Sequence, residues 1–175
     1  SIQTDSVYLA TFTHGILKSL DGGGSWKPAG LQDDRIYNIA INPTSTYCLY
    51  AGTAGDGLHK SKDGGVSWQE ANSGIEKAMP TTVLLSLSDP ERLYGSIFGA
   101  GVFQSNDRGR TWSEMNMGLG DKFVHAIVQN PTQPGLIFAL TNTGGLYKND
   151  LDSGAGCVSL HQSLPLTQVT HSVYP

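Results

Sequence analysis

Short runs of aliphatic, aromatic and β-branched residues recur along this chain, separated by clusters of Gly, Asp, Asn, Ser and Pro. Such runs predict strands joined by tight turns. Their order is fixed. An aromatic residue (Tyr8, Tyr50, Tyr94 or Phe138) sits in a first run, and a glycine follows seven residues later. That glycine opens a second run: Gly15-Ile16-Leu17-Lys18, Gly57-Leu58-His59-Lys60, Gly101-Val102-Phe103-Gln104 and Gly145-Leu146-Tyr147-Lys148. Upstream of three of the aromatics lies a run ending in proline, at 36–43, 83–90 and 124–131. A further strand is opened by a tryptophan, so each full repeat predicts four strands.

Between the second run and the tryptophan stands one motif in three copies. Ser19-Leu20-Asp21-Gly22-Gly23-Gly24-Ser25-Trp26, Ser61-Lys62-Asp63-Gly64-Gly65-Val66-Ser67-Trp68 and Ser105-Asn106-Asp107-Arg108-Gly109-Arg110-Thr111-Trp112 share S-x-D-x-G-x-[ST]-W. The aspartates stand 42 and 44 residues apart. Asp offers a carboxylate to backbone N–H groups at a tight turn, and Gly65 and its counterparts Gly23 and Gly109 allow positive φ. The hydroxyl bonds locally, and the indole carries a large apolar face. The motif is a folding device, with Trp26, Trp68 and Trp112 expected to be buried beside their own turns. A period of roughly 40–45 residues with four strands is the pattern of a propeller blade.

The motif resembles the Asp-box, or bacterial neuraminidase repeat. Propellers with such repeats include sialidases, xyloglucan-hydrolysing glycoside hydrolases, sortilin-type receptors and photosystem II assembly factors, so the resemblance is informative about fold and poor about function. A fourth copy has decayed. Asn149-Asp150-Leu151-Asp152-Ser153-Gly154-Ala155-Gly156-Cys157 fits with one inserted residue and with Cys157 in place of the tryptophan. Asp150-x-Asp152-x-Gly154 also matches the start of a calcium loop but lacks the remaining ligands.

The expected fold is therefore all-β, a β-propeller of four-stranded antiparallel blades, about four in this chain. Residues 1–175 form one domain. Blade 1 is expected over 1–31 plus 168–175, blade 2 over 36–74, blade 3 over 82–118 and blade 4 over 123–164. A C-terminal strand at 168–175 would pair with the strand around Val7. Three assemblies fit that pairing: a closed four-bladed ring, half of a larger ring such as an eight-bladed homodimer, or a fragment of a longer propeller.

Composition narrows the partner. A net charge of −4 and scattered Lys and Arg argue against nucleic acid, and no apolar run has the ~20 residues needed to span a bilayer. Cys48 and Cys157 lie in different repeats without metal-like spacing and are expected to be buried free thiols. The resemblance implies an extracytoplasmic place, whether secreted, periplasmic or lumenal.

In such a ring, one face is built by loops between second and third strands and by loops linking blades. These place His14, Asp33, Asp34, Asp56, Phe98, Asp121 and Asn142 as candidate ligand-binding residues, with the Asp boxes on the other side. The sialidases hold their substrate with three arginines and carry an Arg-Ile-Pro-like motif. Neither fits here, since Arg35, Arg92, Arg108 and Arg110 are all the arginines and two lie in a box. A xyloglucanase needs two carboxylates ~5–9.5 Å apart, and nothing pairs Asp33, Asp34, Asp56 or Asp121. No Gly-x-Ser-x-Gly elbow, P-loop or metal-binding His pair occurs, so neither cofactor nor metal is expected. The reading is a non-catalytic binding or scaffold module for a protein or glycan, such as an accessory or assembly factor. The alternative is a glycoside hydrolase of xyloglucanase or sialidase type, or a fragment of one.

Overall fold

The computed structural model describes residues 6–32, 34–75, 78–143 and 145–160. Among the described residues fifteen strands form four antiparallel sheets, each a meander in chain order. Blade 1 consists of β1 (Val7–Ala10), β2 (Ile16–Ser19) and β3 (Lys27–Pro28). Blade 2 holds β4 (Ile36–Ile41), β5 (Leu49–Thr53), β6 (Leu58–Ser61) and β7 (Gln69–Glu70). Blade 3 holds β8 (Pro80–Leu85), β9 (Leu93–Ile97), β10 (Gly101–Ser105) and β11 (Ser113–Glu114). Blade 4 holds β12 (Val124–Gln129), β13 (Leu136–Thr141), β14 (Leu146–Asp150) and β15 (Cys157–Ser159). The strand expected at 168–175 lies outside the described residues, and blade 1 has three strands among them.

The predicted run at 83–90 is displaced: β8 starts at Pro80 and ends at Leu85. Proline lacks an N–H but is tolerated as the first residue of a strand, so here it opens one. The inner, first strand of each of blades 2, 3 and 4 also carries a bulge near its start. The register shifts between Ile36 and Asn38, between Pro80 and Thr82, and between Val124 and Ala126. Tyr37, Thr81 and His125 are the extra residues, and a bulge re-aims the side chain it carries.

The core lies between blades rather than within them. Ile16, Ala29, Ile36 and Ala51 close the junction of blades 1 and 2. Tyr50, Leu58, Leu93, Phe103 and Trp112 close that of blades 2 and 3, and Tyr94, Val102, Ile127 and Ile137 that of blades 3 and 4. A blade buries its two faces against two neighbours, which is why β5 and β9 are buried at every position.

Trp68 and Trp112 belong to these junctions, which corrects the expectation that they pack beside their own turns, and Trp26 is not buried as expected. Trp68 Nε1 donates to the Ala29 carbonyl of blade 1 at 2.8 Å, and Trp112 Nε1 to the Ala71 carbonyl of blade 2 at 3.0 Å. Trp112 is buried, Trp68 half-buried, and Trp26 is 38% exposed. The exposure of Trp26 has a simple cause: among the described residues no blade precedes blade 1 to receive it. Cys157 takes the corresponding place in blade 4, its Sγ 3.8 Å from the Met115 carbonyl. Burial raises the pKa of this thiol. Both cysteines are free; Cys157 is buried but Cys48 only half-buried, short of what was expected for it.

A second link repeats between blades. The Tyr8 hydroxyl donates to the Gly64 carbonyl and the Tyr50 hydroxyl to that of Arg108, both at 3.0 Å. Gly64 and Arg108 occupy the same box position with φ of 73° and 62°, and this left-handed conformation turns the carbonyl toward the preceding blade. Blade 4, whose box has decayed, keeps a complete four-stranded ladder because strand pairing does not depend on the box.

Candidate functional site

The three intact boxes are structural in their chemistry. Ser19 Oγ donates to Asp21 Oδ1 at 2.7 Å, Ser25 N to the same oxygen at 2.8 Å, and Ser25 Oγ to Oδ2 at 2.6 Å. Asp63 repeats this with Ser61 and Ser67, and Asp107 with Ser105 and Thr111. Ser19, Ser61 and Ser105 also accept from the backbone N–H of Gly23, Gly65 and Gly109. Donors that converge on a carboxylate favour its ionised form. Asp21, donated to first by the Ser25 hydroxyl, is held well below the usual range, and Asp63 sits at about 2, chiefly through Ser67. At Asp107 burial pushes upward, yet Thr111 and Ser105 bring it to about 2.

These shifts carry a pH dependence. The folded pKa values lie below the ordinary 3.8, so the stability they contribute is present above that value and is lost as pH falls through about 2. Melting followed by circular dichroism is expected to show a decline from about pH 4 to about pH 2 that Asp63→Asn and Asp107→Asn reduce. A melting temperature that stays level over this range would remove the charge from the account of the box.

On the other face, the candidate residues divide into groups. Phe98, Asp121 and Asn142 converge between blades 3 and 4. The Phe98 and Phe123 rings meet edge-on with centroids 5.2 Å apart, and the two residues also pair through their backbones. His125, on its bulge, lies 6.0 Å from Phe98 by ring centroids and hydrogen-bonds Asn142 Oδ1 through Nε2 at 3.0 Å. Asp121 Oδ1 accepts from Phe123 N, and Oδ2 from Thr143 N and Oγ1, at 2.8–3.0 Å. Asp121 thereby straps two loops together, and the Phe123 N–H first among these donors lowers its pKa.

The other candidates stand apart from this group. His14 hydrogen-bonds its neighbour Thr13 through Nδ1 at 2.7 Å, within the blade 1 loop. Asp56 lies in the blade 2 loop, where its backbone N–H reaches Thr53 Oγ1. Asp34 donates its N–H to the Leu31 carbonyl, and Asp33 lies outside the described residues. The sequence reading missed Phe123 and His125, as well as a second exposed pair, Phe12 and Tyr37, with centroids 5.3 Å apart at 90°. The signal available was positional: Tyr37 and His125 hold the same place in their inner strands.

Phe98 is presented by a fixed loop. Its N–H donates to the Met79 carbonyl at 3.0 Å, and Ala100 N closes a turn on Ile97. Asn116 Nδ2 holds the Ala100 carbonyl at 2.8 Å while its Oδ1 accepts from Val102 N. Beside the ring lies a cleft of about 500 Å³ formed with Ile75, Ala78, Met79, Ile97 and Phe103. Phe98 is 37% exposed.

No protein-family profile and no curated protein matches this chain. Solved structures do match, and they are propellers. The Niastella koreensis GH74 enzyme aligns over 90% of this chain with a TM-score of 0.75 and 19% identity. The GH74 xyloglucanase from Xanthomonas campestris aligns over 85% with a TM-score of 0.67 and 18% identity. YCF48 bound to D1 peptide aligns over 93% with a TM-score of 0.65 and 16% identity. The match spans 28% and 26% of the two GH74 chains and 52% of the YCF48 chain. The class is thus established at the level of fold: a β-propeller with four blades in this chain. Among the described residues no helix is long and apolar enough to cross a membrane, which says nothing of β-barrels.

Proposed function

We propose that this chain is a non-catalytic propeller module that binds a protein or a glycan through the loop face centred on Phe98. The observation that carries the reading is one exposed, rigidly held aromatic ring between an apolar cleft and a polar flank. A ring fixed in this way binds a flat apolar surface at low entropic cost, whether a sugar face or a side chain, and Asn142 and His125 supply hydrogen-bonding groups beside it. Both kinds of occupant are represented among the fold's neighbours, by a xyloglucanase and by a YCF48 structure with a bound peptide. An accessory or assembly role beside a larger complex follows from the same reading.

The chemistry of Asp121 supports binding over hydrolysis. A glycosidase needs one carboxyl kept protonated near neutral pH beside a second that stays ionised. The downward shift of Asp121 opposes the first role, and the commitment of both its oxygens to turn donors opposes the second.

Calorimetric titration with xyloglucan oligosaccharides and with a peptide library tests this. A ligand is expected whose affinity falls about tenfold in Phe98→Ala, near the upper end for an aromatic contact, with melting temperature retained. Xyloglucan hydrolysis abolished by Asp56→Asn or Asp121→Asn would replace the binding module with a hydrolase. Ligands that bind equally well to the Phe98→Ala protein would move the site elsewhere.

A further inference from the structure

At the outer rim of the junction between blades 2 and 3, four cations line one groove. Lys60 and Lys62 come from blade 2, Arg108 and Arg110 from the box of blade 3. Two adjoining clefts of about 350 and 500 Å³ share all four. One continues to the loop before β5, the other along β7. The chain has only 11 Lys and Arg and a net charge of −4, so this concentration runs against its overall balance.

The third box departs from the other two in a telling way. Gly22 and Gly64 hold its second turn position in boxes 1 and 2, and box 3 places Arg108 there at φ 62°. Left-handed backbone costs a residue with a side chain free energy that glycine does not incur, and such strain is retained mainly at functional positions. Two residues on, where the other boxes have Gly24 and Val66, stands Arg110. Both departures are arginines, and both face Lys60 and Lys62.

They are neutralised only in part. Arg108 pairs with Glu91, and Glu70 also lines the groove. Among the described residues no ion pair involves Lys60, Lys62 or Arg110. Lys60 Nζ donates to the Arg108 carbonyl at 2.6 Å and stands over the Tyr50 ring at 5.1 Å, which fixes its position. Burial, with like charge from Lys62, Arg108 and Arg110, lowers its pKa.

We propose that this groove docks an acidic, extended peptide segment of a partner protein, separately from the face around Phe98. Charge complementarity sets the sign. Spread over two clefts, the cations match a run of carboxylates rather than one compact anion, and β7 is the edge strand of its sheet, against which an extended main chain can lie.

Fluorescence anisotropy of a labelled octaglutamate peptide, titrated with the full chain, tests the proposal. Saturable binding is expected in low salt, weakened tenfold or more by about 0.2 M salt, where the Debye length falls below ~8 Å. Lys62→Glu with Arg110→Glu is expected to weaken it at least tenfold, and Phe98→Ala to leave it unchanged. Should the reversed charges unfold the protein, Lys62→Gln with Arg110→Gln carries the same expectation at about threefold. Absence of saturable binding by the unmodified chain would overturn the proposal, as would equal binding by a folded charge variant. Displacement of the peptide by inorganic phosphate at matching charge would mean a small-anion site, and tighter binding of an oligodeoxythymidine of equal charge would mean a nucleic-acid surface. Either outcome defeats the peptide assignment.

Discussion

Trp112→Ala is expected to lower the unfolding free energy by roughly 3–5 kcal/mol, the usual loss for a buried large aromatic, and Trp26→Ala by less than about 1 kcal/mol. Both residues close the same motif, yet their surroundings differ. Trp112 is 7% exposed, packs with Tyr50, Leu93 and Phe103, and donates its indole N–H across the junction to Ala71. Its removal leaves a cavity between two blades and a carbonyl without its donor. Trp26 is 38% exposed and has no preceding blade among the described residues to enter. Urea unfolding of the two variants separates the cases. Equal losses would show that the tryptophan acts within its own blade and would remove the junction as the source of stability.

Gly74→Ala is expected to cost roughly 2–4 kcal/mol, combining left-handed backbone with overpacking against main chain. Gly74 has φ 94°, and a Cβ there would stand 2.5 Å from the Trp112 carbonyl oxygen and 3.3 Å from its carbon. Backbone in the middle of a junction cannot swing aside as a side-chain tip can. A close approach to the last residue of the next box recurs at 44-residue intervals, to main chain at Gly118 and to a side chain at Gly30. A Cβ on Gly30 would meet the Trp68 indole at 2.5 Å, and one on Gly118 the Cys157 carbonyl oxygen at 2.1 Å. Gly22→Ala is the control, since it has φ 70° with nothing within 4 Å of its Cβ position. It isolates the conformational part, roughly 1–2 kcal/mol. Matching thermal shifts in the two variants would mean that close approach at the junction contributes nothing.

The fold was legible because its signals are local and repeated. Serine, aspartate and glycine at fixed offsets specify one turn by bonds that span no more than four residues, as Ser61, Asp63, Gly65 and Ser67 show. The proline run, the aromatic run and the run after glycine then place three strands per full repeat by spacing, with the run at 83–90 displaced to Pro80–Leu85. Even the decayed box kept its place in the pattern, for Cys157 occupies the position of Trp68 and Trp112.

The candidate site was legible only in part. Phe98 and Asn142 are on the expected loops, but beside Phe98 the rings of Phe123 and His125 arrive from the next blade and its bulge, and no spacing rule announces a bulge. Asp121 was a candidate ligand from its loop position, and its oxygens prove to be the acceptors that join 121–123 to Thr143. Whether a loop carboxylate faces a ligand or a backbone amide depends on a neighbour 22 residues away.

The sequence by itself thus determined the turns, the strand order and the number of blades in this chain, all consequences of contacts between residues close in the chain. The tertiary structure decided where each tryptophan goes, which aromatics share a face, and that Lys60, Lys62, Arg108 and Arg110 meet in one groove. Those outcomes depend on how one blade lies against the next, joining residues far apart in the chain, such as Phe98 and Phe123, Trp68 and Ala29, or Tyr50 and Arg108. Two copies of one motif can therefore have unlike surroundings, because what surrounds a box is set by the adjacent blade and not by the box.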